Sequence, residues 1–407
     1  MAAVLEKETF DIRLLHPIST AELERRWAAA RAQMKTAGVD VLITQSTNAQ
    51  SGGGYVRWFI DQLNGGSNPL TVMFPSEGLM TVVNQGPFDK DRKFDGKTAP
   101  NRGIGKRVFT PSYPSLQYTG HYDADIIARE ILQAGHQTVG MVCPATMYFS
   151  FGARLTELLK AQGVNVVDAT DIVDAVKCIK SAEEIQLVRN SCAMQDEVMR
   201  RVAGHIKPGM KDFEVYAFAQ YQGQLLGSEN GIFLGSSATP PAPAAYKPRS
   251  QMGREIQKGD VFMLLVENSG PGGFYTEIAR PFCLGKAPQA LKDLVSLIVE
   301  AQQNTVKRLV PGASFPEIWD AHNTFMRSKD KHEEERLHSH GQGYDLVERP
   351  LVRRDETQMK VAANTYFACH PEVTTPKEFM TICDNFLIKA DGTQEHLHKY
   401  PQEVTEI

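Results

Sequence analysis

The stretch that most constrains this chain runs from Gly259 to Gly285, GDVFMLLVENSGPGGFYTEIARPFCLG. Val261–Glu267 and Phe274–Phe282 are rich in β-branched, aromatic and aliphatic residues, and the Asn-Ser-Gly-Pro-Gly-Gly between them permits only a turn or tight loop. The pattern predicts a β-hairpin. With its turn centred near Gly272, Glu267 and Glu277 each lie five residues from the centre and fall opposite each other. Side chains alternate along a strand, so both carboxylates would project from the same face. Like charges placed cross-strand repel. A metal ion, a bound cation or a shared proton would have to cancel that repulsion. A one-residue slip would instead leave one glutamate in water, and both registers are compatible with the pattern.

At 407 residues the chain is long enough for two domains. With 42% apolar and 23% charged residues it matches folded soluble proteins, which excludes a disordered or fibrous chain. A net charge of −4 gives no basic field, so no nucleic-acid partner is expected. The segment MAAVLEKETFDIRLL carries acids and no apolar core, so a secretory signal is not expected. No run approaches the roughly eighteen apolar residues of a membrane span, and no membrane partner is expected. Cys143, Cys178, Cys192, Cys283, Cys369 and Cys383 show no CxxC spacing, which predicts reduced thiols and a cytoplasmic protein.

Ser19–Ala37 opens with a capping box, Ser19 or Thr20 followed by Glu22 or Glu24, and continues as a helix with Leu23, Trp27, Ala30 and Met34 on one stripe. Strands are predicted at Val39–Thr44, Leu70–Phe74, Met80–Asn84 and Thr138–Val142, and helices at Asp123–Ala134 and Tyr148–Gln162. This alternation predicts a first α/β domain. Ser181 with Glu184 forms another capping box and starts a helix over Ala182–His205. Further helices are predicted over Asp212–Leu226, Ala290–Leu309 and from Phe315, and a strand over Thr365–Cys369. Lys207-Pro208-Gly209 and Val310-Pro311-Gly312 hold matching places, which suggests two α+β halves packed around one sheet with a site between them.

Chemistry concentrates in this second region. Besides Glu267 and Glu277, it holds His338-Ser339-His340-Gly341-Gln342-Gly343-Tyr344-Asp345, Ala368-Cys369-His370-Pro371-Glu372, and Thr381-Ile382-Cys383-Asp384-Asn385 within an otherwise apolar strand. Singly, each has a structural explanation: a lone His is usually a satisfied core residue and Cys383 could be a small core thiol. Clustered, they read as one site. Gly52–Trp58 looks like a phosphate loop but lacks the following Lys-Ser/Thr, so a turn is expected there.

The second domain resembles the pita-bread fold shared by methionine aminopeptidase, aminopeptidase P, prolidase and creatinase. The resemblance rests on Ile179–Glu184, Lys258-Gly259-Asp260, Gly273–Arg280, His340-Gly341-Gln342-Gly343 and Asn385–Gly392. The first domain resembles the creatinase-type N-domain. The implied fold class is α+β in two domains, 1–178 creatinase-like and 179–407 pita-bread. The resemblance implies a site with two metal ions held by two Asp, one His and two Glu, and this sequence departs at four of the five positions. Glu277 stands for the second Asp, and Glu267 or Val266 for the first. His340 matches, while His370 and Cys383 replace the two Glu. Tyr246 is the nearest candidate for a family His that precedes the hairpin, and another falls at Val347.

An orthodox dinuclear peptidase is therefore not expected, because paired ions need bridging carboxylates. Three readings remain. In one, Glu267, Glu277, His340, His370 and Cys383 bind a single divalent ion, Zn or Fe. In the second, the chain is a creatinase-like hydrolase of a small molecule at a C–N bond, with the acids binding a cationic or amide-bearing substrate and His340 or His370 as general base. In the third, it is a non-catalytic binding module. The resemblance also implies a homodimer in which Arg57 and Trp58 of one subunit reach the other's site. Tyr344, Asp345, Glu348 and Arg349 are candidates to line the pocket, or a surface salt-bridge cluster.

Overall fold

The computed structural model describes residues 18–46, 53–62 and 68–407, and these separate into two compact units, Pro17–Lys177 and Cys178–Ile407. The first unit is built on a seven-stranded mixed sheet. In spatial order its strands are Lys90–Lys93, Ile104–Thr110, Met80–Gln85, Leu70–Pro75, Val41–Ser46, Thr138–Met141 and Asn165–Asp168. Helices Gly120–Ala134 and Phe149–Lys160 cover it, burying Ile127, Ile131, Phe151 and Leu155 against Val41, Ile43 and Val139.

Helix Thr20–Ala37 carries the expected buried stripe of Leu23, Trp27, Ala30 and Met34. Its cap is simpler than the expected box. Ser19 Oγ accepts from Glu22 N–H, but the Glu22 carboxylate pairs with Arg25 and Arg26 instead of turning back. The turn expected over Gly52–Trp58 is replaced, from Gly54, by the helix Gly54–Ile60, and Gly52 lies outside the described residues. The reason is apolar burial: Tyr55, Val56, Trp58, Phe59 and Ile60 are all buried, and Tyr55 donates to Asp174 at 2.7 Å.

The second unit starts on the helix Ala182–Ala203, capped reciprocally: Ser181 Oγ accepts from Glu184 N–H at 3.2 Å and Glu184 accepts from Ser181 N–H at 2.7 Å. Its strands form two main sheets, where one had been expected. The first runs Thr405–Glu406, Tyr275–Cys283, Val261–Ser269, Gly231–Ala238; the second runs Glu348–Leu351, Ser339–Gly341, Tyr366–Cys369, Asp384–Ile388, Gln394–His396. They meet where Ala279 N–H donates to Cys383 C=O at 3.3 Å and Tyr275 N–H to Gly343 C=O at 2.7 Å.

The internal echo is structural. Gly209 and Gly312 both adopt left-handed backbone, at φ 91° and 90°, a conformation glycine enters without a Cβ clash. Each donates its N–H at 2.8 Å to a later chain segment, Gly209 to Ile256 and Gly312 to Val361. Each is followed by a helix, Asp212–Leu225 or Phe315–Ser328.

The hairpin pairs Glu267 with Glu277, the register expected from a turn at Gly272. Every residue of both strands is buried. Phe262, Leu264, Val266, Ile278 and Phe282 pack towards helix Ala182–Ala203, and Val261, Met263, Leu265, Ala279 and Cys283 pack towards helix Gln289–Val306 and the second half. Glu267 and Glu277 share the parity of this second set. Both glutamates therefore face the other half of the domain.

Candidate active site

Three segments meet the hairpin at Glu277. Strand Ser339–Gly341 supplies His340, the residue after strand Tyr366–Cys369 is His370, and the residue before strand Asp384–Ile388 is Cys383. Antiparallel pairing of His340 with Ala368, and of Ala368 with Asn385, holds the three segments in register.

Donor atoms of Glu277, His340 and His370 all lie within 4.8 Å of one another. His340 Nε2 is 3.8 Å from Glu277 Oε2, and the two imidazoles stand edge to face with centroids 5.2 Å apart. His340 Nδ1 lies 2.9 Å from the Gly341 carbonyl, which can only accept. The ring proton is therefore on Nδ1, and the Nε2 lone pair points to Glu277. Glu267 lies across the hairpin and its Oε1 accepts from Gln342 Nε2 at 3.0 Å. Glu267 and Cys383 are not part of the three-donor group.

Electrostatics follow from burial. Glu267 is pushed well above the ordinary carboxyl range by burial and then by the Glu277 charge. Glu277 is raised by burial, against the opposing influence of His340 and the Cys383 thiol. Burial, then His370, lowers His340 to about 4. His370 is lowered by burial and next by the Arg336 charge. Burial and the neighbouring Glu277 carboxyl push the Cys383 thiol well up. Tyr246 has a buried hydroxyl with no hydrogen-bond partner, and burial followed by the Glu277 charge raises it well above the phenol range. Burial thus opposes charge on both partners, raising the Glu277 carboxyl and lowering the His340 imidazole.

The remaining sequence candidates sit elsewhere. Tyr344 packs on Phe274 with centroids 4.5 Å apart. Glu348 is 3.6 Å from the buried Lys180 ammonium and accepts from Asp345 N–H, and Arg349 pairs with Glu356 at 2.8 Å. Arg57 and Trp58 belong to the first unit, on helix Gly54–Ile60, where Trp58 is 1% exposed. His338 does not join His340; its ring stacks on His322 at 3.7 Å and neither ring nitrogen has a hydrogen-bond partner. Two residues whose side chains hold the site together were named only as parts of motifs. Asn385 Oδ1 accepts the Glu277 backbone N–H at 2.7 Å, and Asn385 Nδ2 donates to Gln342 Oε1 at 2.8 Å. Their signal is an amide inside the strand Asp384–Ile388 and another directly after the strand Ser339–Gly341.

The model for Metallopeptidase family M24 matches residues 186–390, half of the chain. The chain belongs to metallopeptidase family M24. This M24 chain is 26% identical over 405 residues to "Uncharacterized hydrolase/peptidase y4tM" of Sinorhizobium fredii, covering 97% of this chain and 99% of that protein. It is 23% identical over 279 residues to a Xaa-Pro dipeptidase of Pyrococcus furiosus, covering 65% and 75% of the two chains. Among solved structures, a prolidase from Thermococcus sibiricus superposes with a TM-score of 0.77 at 16% identity, over 94% of this chain and 99% of that one. The fold is the two-domain pita-bread architecture, and the family is one of hydrolases. Among the described residues no helix is long and apolar enough to cross a membrane.

M24 chemistry implies divalent metal, and the donors fit one ion: a carboxylate and two imidazoles converge, with a lone pair on His340 Nε2. They do not fit two. The last strands offer His370 and Cys383 at the site, and the adjacent carboxylate, Asp384, is turned to Arg280 at 2.6 Å.

Proposed function

We propose that this M24 chain hydrolyses a carbon–nitrogen bond of an amide- or amidine-type small molecule, and is not a dinuclear peptidase. The observation that carries the reading is the buried Glu277 carboxyl facing the His340 imidazole across 3.8 Å, with His340 Nδ1 turned to the Gly341 carbonyl. His340 Nε2 takes a proton from water as its oxygen attacks the substrate carbon. The tetrahedral adduct collapses as the C–N bond breaks, and Glu277 gives its proton to the departing nitrogen. His340 then returns the captured proton to Glu277, and the pair is reset. The Tyr246 hydroxyl, which has no partner and is held protonated, is available to donate to the developing oxyanion. Glu267 supplies a second acidic face for a cationic or polar substrate group.

A second reading is favoured by the 4.8 Å convergence of Glu277, His340 and His370. A single ion such as Zn or Fe held there would polarise the substrate and acidify a bound water. In that case Tyr246 and Glu267 keep the roles just given. The Xaa-Pro cleavage named for the Pyrococcus relative is the competing activity. The same proposal includes a cytoplasmic homodimer in which the segment carrying Arg57 and Trp58 approaches the partner's site. It is checked by a sedimentation mass near twice 45.2 kDa.

The test is a panel of small amides, amidines and ureido compounds, assayed with chelator-treated protein alongside a Xaa-Pro dipeptide. Ammonia or amine release that persists in chelator supports the acid–base reading. Release abolished by chelator and restored by one equivalent of Zn or Fe supports the one-ion reading. Robust Xaa-Pro cleavage with cobalt or manganese and no release from the panel overturns both.

A further inference from the structure

Behind the glutamate pair runs a buried line of polar side chains that the proposed reaction does not use. Asp196, on helix Ala182–Ala203, and His398, near the end of the chain, are 3% and 1% exposed. Both oxygens of Asp196 accept backbone N–H groups, from Lys399 at 2.7 Å and Tyr400 at 3.1 Å.

One backbone group sets the polarity of the whole line. The N–H of Glu277 can only donate, so the Asn385 atom 2.7 Å away is its oxygen. Asn385 Nδ2 must then donate to Gln342 Oε1, and Gln342 Nε2 to Glu267 Oε1. In the other direction, the same Asn385 oxygen lies 3.2 Å from His398 Nε2, which therefore carries a proton. His398 Nδ1 lies 3.3 Å from Asp196 Oδ1. Despite its burial, the Asp196 carboxyl is held below its usual range by the His398 hydrogen bond and charge.

We infer that Asp196 anchors His398, and that His398 is a positioning residue which acts through Asn385 and Gln342 to orient Glu267 against Glu277. Asn385 is the junction. Its oxygen holds the backbone of Glu277, and its nitrogen, through Gln342, occupies one oxygen of Glu267. Only the second oxygen of Glu267 is left to turn towards the site. The inference concerns the same glutamates as the proposed reaction but does not depend on which bond is cleaved.

Two measurements on the full chain test it, and neither uses turnover. In ¹⁵N-histidine protein, with His398 assigned by His398→Gln, Nε2 should carry an attached proton protected from exchange, as a donor to Asn385 must. Asp196→Asn, nearly the same in size, should weaken that protection. A His398 Nε2 without an attached proton in the wild-type protein overturns the inference. The second measurement is a double-mutant cycle on unfolding midpoints with His398→Gln and Glu267→Gln. Residues joined in one network couple, whereas independent ones add. The midpoint lost through His398→Gln should be smaller in the Glu267→Gln background. Strict additivity would reduce His398 to a local partner of Asp196 and overturn the positioning role. If His398→Gln does not fold, Gln342→Met in its place breaks the same line at a neutral residue, with the same two outcomes.

Discussion

Glu277 and Arg280 lie on one strand, Tyr275–Cys283, and both are buried, yet the protein treats their charges in opposite ways. Arg280 finds a partner for every donor. Its guanidinium donates to the carbonyls of Pro401 (2.7 Å), Ala279 (2.9 Å), Cys383 (2.9 Å) and Tyr400 (3.0 Å), and to Asp384 at 2.6 Å. Against the effect of burial, Arg280 keeps the Asp384 carboxyl far below its usual range. Glu277 faces another glutamate and an imidazole at 3.8 Å. The difference separates structural charge from working charge. Arg280 is compensated on all sides, whereas Glu277 has no comparable ion-pair partner and burial raises its carboxyl.

The largest expected effect breaks the compensated side. Arg280→Met leaves Asp384 buried without its counter-charge, which costs about 3–5 kcal/mol. Urea unfolding should show that loss, and an unchanged midpoint would mean the pair is dispensable.

The under-compensated side should respond in the reverse sense. Glu277→Gln should lower the turnover found in the substrate panel by about a hundredfold or more, because a proton donor is gone. Stability of the metal-free protein should hold or rise by about 1 kcal/mol as the like-charge contact disappears. The pH dependence has a definite sign. The folded-state pKa of Glu277 is raised, so its contribution is present below the unfolded carboxyl value near 4.5 and is lost as pH rises through the folded value. Glutamine does not titrate. The advantage of Glu277→Gln should therefore grow with pH and vanish in acid. His340 contributes oppositely: its lowered pKa gives stability above its unfolded value near 6.5 that is lost as pH falls through about 4. Both proteins share that loss, so it largely cancels between them. Equal midpoints at every pH, with full activity, would place Glu277 in a solvated or otherwise neutralised setting.

How much of this contrast is legible in the sequence depends on the range of the interactions. The hairpin and its register follow from strand parity and a Gly-rich turn, both local, and the structure pairs Glu267 with Glu277 as that reading requires. Ser181 and Glu184 announce a helix start for the same reason. His340 and His370 are visible as polar residues beside apolar strands. The helix Gly54–Ile60 is not visible, because its glycines read as a turn and only tertiary burial of Trp58 and Phe59 makes it pay to wind. Nor is the support behind the site. Asp196 and His398 are 202 positions apart, and no spacing rule relates them. Which charges are compensated is likewise a long-range matter, since Arg280 draws its partners from segments more than 100 residues away.

The smallest structural effect expected is at Tyr246. Its hydroxyl has no partner to lose, so Tyr246→Phe should stay within about 0.5 kcal/mol of the parent in thermal or urea melts. Turnover should nonetheless fall about a hundredfold if the hydroxyl stabilises an oxyanion. A stability loss without a rate effect would make Tyr246 a packing residue on Phe379, whose ring centroid is 5.0 Å away.

The central claim is that the site can hold at most one ion, because Glu277 is the single carboxylate among the three donors that converge there. It is tested most directly by elemental analysis of untagged, extensively dialysed protein, repeated after incubation with excess manganese, cobalt or zinc. The account predicts no more than about one tightly held equivalent per chain for any of these metals, and loss of that equivalent in Glu277→Gln. Two tightly held equivalents per chain, appearing together with Xaa-Pro dipeptide cleavage, would contradict it.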